Sequence, residues 1–122
     1  MVTSGRQTPP VPGGEILERA AELALDRKAE GVVGLDLRGI SSATDYFLLA
    51  TGNSDVHVRA IADHIVDELK KQGARPRHVE GAGSGRWVLI DYVDIVVHVL
   101  HPEAREFYQL EQLWGDAPRR EF

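Results

Sequence analysis

An apolar strand that runs directly into a helix-opening turn is the feature that most constrains the fold of this chain. Residues 46–51 are apolar on both faces, as in a central strand that is covered on both sides. Gly52 and Asn53 follow, and Ser54 stands where a serine caps a helix. Apolar residues then recur at helical spacing: Val58, Ile61, Ala62, Ile65, Val66 and Leu69. A strand followed by an amphipathic helix predicts an α/β domain.

The other apolar segments predict a mixed sheet flanked by helices. A first helix is expected over residues 15–28, with its stop at Gly31, and a short helix over residues 103–108. Further strands are expected over residues 32–37, 76–80, 87–91 and 94–100. The strand at 76–80 could lie parallel to that at 46–51 through a right-handed crossover. The last two strands must turn back on each other, because their link is too short for a crossover.

Length and composition suit a single domain. The 122 residues, 43% of them hydrophobic, can bury one core without a metal or a disulfide. Residues 1–14 are rich in proline and glycine and offer little apolar surface, which predicts a disordered tail. Residues 118–122 are expected to form a C-terminal tail. The domain itself is therefore expected over residues 15–117.

Charge and missing residue types exclude several classes of protein. Fourteen basic and 19 acidic residues give a formal charge of −5. This charge argues against a protein that binds nucleic acid chiefly by neutralising its phosphates, and it favours a basic protein partner. The absence of cysteine excludes thiolate nucleophiles and cysteine-ligated metals. No apolar run approaches the roughly 20 residues that cross a bilayer. A soluble, cytoplasmic protein is expected.

Motifs for catalysis or metal binding are weak. The turn at residues 52–54 could direct backbone N–H groups at an anion, but it lacks the lysine of a phosphate-binding loop, so turn-and-cap chemistry is favoured. A nucleotidyltransferase would carry an Asp-x-Asp pair on the next strand, which offers only Glu80. His98 is expected on a sheet face rather than in a zinc site. No catalytic residue, metal or cofactor is predicted, and a nucleotide-binding or nucleotidyl-transferring enzyme stays open as the alternative.

The last third of the chain predicts a protein interface. Large amphipathic aromatic residues occur there: Trp87, Tyr92, Tyr108 and Trp114. Carboxylates accompany them: Asp91, Asp94, Glu106, Glu111 and Asp116. Aromatic anchors carry much of the binding energy of interfaces, and acidic rims select basic partners. The same aromatic residues could instead close the core, and the sequence leaves both interpretations open.

A series of short motifs runs through almost the whole chain in a fixed order. They are Thr44-Asp45-Tyr46-Phe47, Ala50-Thr51-Gly52, Ala60-Ile61-Ala62-Asp63, Glu80-Gly81, Trp87-Val88-Leu89-Ile90-Asp91-Tyr92, Asp94-Ile95-Val96-Val97-His98-Val99, Phe107-Tyr108, Leu110-Glu111 and Leu113-Trp114. Together these motifs resemble the ribosomal silencing factor family, also called Iojap-like, over about residues 15–117.

This resemblance implies a nucleotidyltransferase-like fold without the catalytic carboxylates, and a binding protein rather than an enzyme. Such proteins dock on the large ribosomal subunit at its subunit-facing protein number fourteen and block joining of the small subunit when nutrients run low. It also implies a homodimer of the free protein, with no DNA or membrane partner. The contact residues expected here are Trp87, Tyr92, Asp91, Asp94 and Glu80. The aromatic residues would serve as anchors and the carboxylates as partners for Lys or Arg.

The turn at residues 91–94 departs from the family pattern, because many relatives place glycine where this chain has Val93. Valine disfavours a positive φ angle, so a primed two-residue turn is not expected. The sequence instead predicts a wider turn or a bulge.

Overall fold

Two long amphipathic helices pack on one face of a six-stranded sheet in the computed structural model, which describes residues 14–122. Its elements in chain order are α1 (Gly14–Asp26), β1 (Glu30–Asp36), β2 (Tyr46–Thr51), α2 (Asp55–Lys71), β3 (His78–Glu80), β4 (Trp87–Asp91), β5 (Ile95–Leu100), α3 (Pro102–Tyr108), α4 (Leu110–Leu113) and β6 (Arg119–Glu121). The strand order is β3-β4-β5-β2-β1-β6, with β2 and β5 parallel and the other neighbours antiparallel. The predicted mixed sheet flanked by helices is confirmed. No helix of this described range is long and apolar enough to cross a membrane.

Both long helices end in a left-handed capping motif. At the end of α1, Ala29 N donates to Ala24 O at 3.0 Å, and Lys28 has a φ angle of 62°. Gly73 takes the same position after α2, with a φ angle of 90°. The predicted stop of α1 at Gly31 is wrong. Lys28 adopts the conformation that is usually left to glycine, and Gly31 lies in β1.

Alternating side chains of the strands feed two separate cores. The face toward α1 and α2, here called the helix face, buries one set: Leu48, Ala50, Val88, Ile90, Ile95, Val97 and Val99. The opposite face, here called the open face, buries a second set beneath α3, α4 and the segment before β6: Val33, Leu35, Leu49, Leu100, Ala104, Leu110 and Ala117. Leu89 and Val96, on β4 and β5, also lie on the open face but are only half-buried. This face is therefore incompletely covered.

Two segments lie elsewhere in the sheet than the sequence suggested. β3 runs in the same direction as β2, as predicted, but β5 and β4 separate them and β3 forms an edge strand. Residues 118–122, predicted as a tail, instead contain β6, which pairs with β1 through Val33 opposite Glu121 and Leu35 opposite Arg119. The tail predicted over residues 1–14 lies outside the described residues except for Gly14, which begins α1.

The link between β4 and β5, residues 92–94, is a strained tight turn. Tyr92 N donates to Ile95 O at 2.8 Å, and Asp94 N donates to Tyr92 O at 3.0 Å, which closes a γ-turn around Val93 with a φ angle of 78°. The predicted wider turn or bulge is therefore wrong. The Asp91 carboxylate accepts a 2.7 Å hydrogen bond from Val93 N and so holds the tight turn in place.

Replacing Val93 with glycine is expected to stabilise the protein by about 1 kcal/mol, because glycine reaches a positive φ angle without the steric strain of a β-branched side chain. Urea unfolding followed by circular dichroism measures the change. Val79→Gly, in the exposed edge strand β3, is the matched control and should lower the stability. Lower stability of Val93→Gly would contradict the strained turn.

Candidate functional site

Six rings form a continuous row across the open face of the sheet. In order they are Trp114, Phe47, His98, Trp87, Tyr108 and Phe107, and they are called the aromatic row below. Successive ring centroids lie 5.9, 4.5, 5.8, 4.6 and 5.0 Å apart. These separations fall in the range of favourable edge-on and tilted aromatic contacts. The row combines residues from β2, β4, β5, α3 and the end of α4.

Strand pairing explains why these distant residues meet. Trp87 is paired with Leu100, which places His98 diagonally across from it on the same face. Phe47 is paired with Val96, so it lies diagonally across from His98 on the other side. His98 is therefore held between two large rings, and α3 adds the last two rings of the row.

Exposure rises from the centre of the row toward its end on α3. His98 is only 4% exposed, whereas Phe107 is 79% exposed. Leu113, next to the other end of the row, is 72% exposed. Contiguous apolar patches of this kind are uncommon on soluble monomers and often mark sites of interaction.

The imidazole of His98 is neutral and serves as a hydrogen-bond acceptor. Burial lowers the pKa of His98 to about 4. Its Nδ1 accepts a 3.0 Å hydrogen bond from the indole Nε1–H of Trp87, which places the imidazole proton on Nε2. Nε2 is itself buried, and no partner for it occurs in the described part of the chain. The histidine thus holds the indole ring while one of its own polar atoms stays unsatisfied.

A cavity of about 380 Å³ adjoins the outer end of the row. Its walls come from Ser84, Arg86, Trp87, Ala104, Phe107 and Tyr108. Arg86 Nη2 lies 3.5 Å from Glu103 Oε1, so the guanidinium that lines the cavity has a carboxylate beside it. The three aromatic rings make this cavity suitable for a side chain of a protein partner.

The structure separates the five predicted contact residues. Trp87 belongs to the aromatic row, and Asp91 lies on the same face of β4 four residues later. Glu80 lies on that face in the neighbouring strand β3. Asp94 is half-buried in the turn beyond β4. Only Tyr92 lies on the other side of the sheet.

Tyr92 belongs to the core on the helix face. It is 7% exposed, and its buried hydroxyl has no hydrogen-bond partner among residues 14–122. Burial raises the pKa of Tyr92 to about 12. A side chain in this position cannot reach a partner unless the core opens. Its position does not support a role as an anchor, and it fits the alternative in which an aromatic residue closes the core.

Two of the predicted carboxylates already have partners within the protein. Asp91 Oδ2 accepts a 2.7 Å hydrogen bond from Arg77. Burial raises the pKa of Asp91, but the hydrogen bonds from Arg77 and Val93 N outweigh it and hold the pKa below its usual range. Glu80 pairs with His78. Glu80 and His78 are both exposed, and exposed ion pairs contribute only about 0–1 kcal/mol, so a cation of a partner could replace this second pair.

A largely buried arginine ties α3 and α4 to the sheet. Arg105 donates hydrogen bonds to Glu111 Oε1 at 3.0 Å, to Thr51 Oγ1 at 2.8 Å and to Gly31 O at 2.6 Å. The other oxygen of Glu111 pairs with Arg119 at 3.1 Å. The hydrogen bond from Arg105 holds the pKa of Glu111 below its usual range. This network fixes the two helices on which the outer part of the aromatic row depends.

Sequence reasoning missed Phe47, Phe107 and Arg105 as parts of this site. It placed His98 on a sheet face, as the structure does, but it gave His98 no partner. Alternation along β2 and β5 could have placed Phe47 and His98 on one face, had the strand order been known. The amphipathic pattern of α3 gives no signal that Arg105 points inward.

The turn after β2 uses its polar groups to cap α2. Ser54 Oγ accepts from His57 N at 3.1 Å, and Asn53 N donates to His57 Nδ1 at 2.8 Å. A Cβ atom at Gly52 would lie 2.8 Å from Val58 N, so glycine allows the close approach of helix and turn. Turn-and-cap chemistry therefore accounts for this segment. No cluster of acidic or histidine residues suited to a metal ion occurs within residues 14–122.

Fold and surface together define a class of protein: a single α/β domain with a row of aromatic rings on its incompletely covered face. The family model described as ribosomal silencing factor during starvation, RsfS, matches residues 11–122. Ribosomal silencing factor RsfS of Bacillus subtilis is 48% identical over 103 residues, which cover 84% of this chain and 87% of that protein. The mitochondrial Iojap-related protein of Arabidopsis thaliana is 34% identical, over 81% of this chain and 56% of that protein. The chain belongs to the ribosomal silencing factor family, a family of regulatory factors.

Solved structures agree with this assignment. The crystal structure of a Chromobacterium violaceum protein matches with a TM-score of 0.81 and 39% identity, over 83% of this chain and 84% of that chain. A crystal structure from Bacillus halodurans matches with a TM-score of 0.78 and 44% identity, over 88% of this chain and 98% of that chain. The family resemblance in the sequence motifs is therefore confirmed.

Tyr92→Phe is expected to leave the stability unchanged or to raise it by up to about 1 kcal/mol, because it removes a buried hydroxyl without a partner. The free energy of unfolding in urea measures this. Tyr108→Phe, at an exposed position, should change it by less than about 0.5 kcal/mol. A clear loss in Tyr92→Phe would show that the hydroxyl makes a hydrogen bond.

Glu111→Gln is expected to lower the stability by about 1–2 kcal/mol at pH 7, because it weakens a charge-assisted hydrogen-bond network. The folded-state pKa of Glu111 lies below the ordinary value of 4.5, so its contribution is present above that pH and is lost as the pH falls through the folded-state pKa. Urea unfolding between pH 7 and pH 3 should therefore show the two proteins converging on the acid side. Glu106→Gln, at an exposed position of α3, is the control. A difference that persists at low pH would refute this origin.

Proposed function

We propose that this protein represses translation during nutrient limitation by binding the large ribosomal subunit and blocking the small subunit from joining. The proposed docking partner is the subunit-facing protein number fourteen of the large subunit. Membership of the ribosomal silencing factor family supports this proposal, and the aromatic row on the incompletely covered open face is the observation that carries it. The proposed place of action is the cytoplasm.

The mechanism needs only a stable interface of ordinary size. A specific interface buries roughly 1,600 Å² in total, which one small domain can supply. The exposed and half-buried rings of the aromatic row would fill the desolvated centre, with Trp87 as the main anchor. Asp91, Asp94 and Glu80 would form an acidic rim that pairs with Lys or Arg of a basic ribosomal protein. Tyr92 would contribute only indirectly. It packs in the core beneath the turn and so would support the position of Asp94.

Two further parts of the proposal concern the free protein. We propose that it forms a homodimer away from ribosomes, which light scattering over a range of protein concentrations would detect. We propose that the domain predicted over residues 15–117 is the part that docks. The strand pairing of β6 adds residues 119–121 to the same folded unit.

Sedimentation with separated ribosomal particles tests the proposed function. The purified protein is mixed with large subunits, with small subunits and with joined ribosomes, at low and moderate salt. We expect it to travel with free large subunits and to prevent joining when small subunits are added. No binding to large subunits under either condition would overturn the proposal, and a nucleotide-dependent rise in melting temperature would then favour the enzymatic alternative.

Asp94→Lys should weaken docking on large subunits by about tenfold at low salt, because it reverses a charge that faces a basic partner. The free energy of unfolding should change little, since Asp94 holds the turn through its backbone carbonyl, which accepts hydrogen bonds from Asp45 N and Tyr46 N. Asp63→Lys makes the same charge change on the exposed side of α2, away from the open face, and is the matched control. Equal binding by both variants and the native protein would remove Asp94 from the interface.

A further inference from the structure

We propose that His98 is a positioning residue: it fixes the indole ring of Trp87 in the orientation in which the aromatic row binds its protein partner, without touching that partner itself. This inference rests on the proposed function and names a residue through which the same site is built.

The position of His98 excludes direct contact with a partner. The side chain is 4% exposed and is the buried ring in the middle of the aromatic row, between Phe47 and Trp87. Neither ring nitrogen is available to a partner. Nδ1 already accepts a hydrogen bond from the indole of Trp87, and Nε2 is buried. Any influence of His98 on binding must therefore pass through the rings beside it.

The hydrogen bond to Trp87 gives the indole a defined orientation. Trp87 begins β4 and is only half-buried, so packing alone restrains just part of its ring. The 3.0 Å bond from Nε1 to His98 Nδ1 fixes the edge of the indole that points inward. Because the imidazole stays neutral, with its pKa lowered by burial, Nδ1 remains available as an acceptor at physiological pH.

The orientation of Trp87 in turn shapes the exposed part of the surface. Its ring centroid lies 4.6 Å from that of Tyr108, which lies 5.0 Å from that of Phe107. The same three rings line the cavity of about 380 Å³. A turn of the indole would therefore change both the outer rings and the cavity wall. The hydrogen bond between Trp87 and His98 thus determines the shape of the exposed surface, although His98 itself is buried.

Stability alone does not favour a histidine at this position. The neighbouring residues on the same face of β5, Val96 and Leu100, are apolar, and a phenylalanine would fill similar space. Burying Nε2–H without a partner opposes folding, whereas an apolar ring would not carry that penalty. A buried polar group that opposes folding and makes one directed bond points to positioning rather than to packing.

A double-mutant cycle separates positioning from a general structural role. His98→Phe keeps a ring but removes the acceptor, His98→Asn keeps an acceptor at the same branch of the side chain, and Trp87→Phe removes the donor. We expect His98→Phe to weaken binding to isolated large subunits about fivefold, the effect of one net hydrogen bond. His98→Asn should stay within about twofold of the native protein. In the Trp87→Phe background, His98→Phe should add less than about a further twofold.

The indole protons provide a readout that does not depend on ribosomes. Trp87 and Trp114 are the two tryptophans of the chain, so Trp114→Phe assigns the remaining indole signal in a nuclear magnetic resonance spectrum. We expect slow solvent exchange of the Trp87 indole proton in the native protein and fast exchange in His98→Phe. Thermal unfolding should show that His98→Phe is at least as stable as the native protein.

The outcomes that overturn the inference are distinct. A fast-exchanging Trp87 indole proton in the native protein would remove the hydrogen bond on which it rests. Unchanged docking of His98→Phe, or an equal loss in the Trp87→Phe background, would show that His98 does not act through the indole. If the native protein itself fails to bind large subunits, the proposed function is overturned, whereas an indole proton released by His98→Phe would still support the positioning role.

Discussion

The parallel pairing of β2 with β5 is the constraint on which the rest of the structure depends. It is continuous from Tyr46 opposite Ile95 to Thr51 opposite Leu100. Parallel strands cannot be joined by a short turn, so α2, β3 and β4 must intervene in the chain. Because side chains alternate along each strand, a shift of one residue in this register would move His98 to the opposite face relative to its present neighbours. The pairing therefore determines both the core and the aromatic row.

The two faces of the sheet have different roles because they are covered to different extents. The helix face is closed by two long helices, and its buried residues are almost all apolar. The open face receives only two short helices and the segment before β6, so rings at its margin stay half-buried or exposed. Polar groups hold this thinner cover: Arg105 ties α3 and α4 to the sheet, and His98 restrains Trp87. The surface is thus anchored by directed bonds where apolar packing is incomplete.

Sequence patterns predicted the parts of the fold that local periodicity determines. β2, β4 and α2 have strong apolar patterns and were placed within a few residues. β6 was missed because Arg-Arg-Glu has no apolar alternation, and its pairing depends on backbone groups of β1. Within the site, Trp87 was predicted, but Tyr92 was not separated from Asp91. Adjacent strand residues face opposite sides, and only the assembled sheet shows which side is covered.

The turn between β4 and β5 shows how backbone and side-chain roles can differ in one residue. The carbonyl of Asp94 accepts hydrogen bonds from Asp45 N at 3.0 Å and Tyr46 N at 3.1 Å, so the turn is attached to the start of β2. Val93 stays in its strained conformation because these bonds and the Asp91 carboxylate over-determine the turn. Asp94 therefore stabilises the turn through its backbone carbonyl, and these hydrogen bonds do not depend on the identity of its side chain. Its carboxylate is therefore available for recognition of a partner.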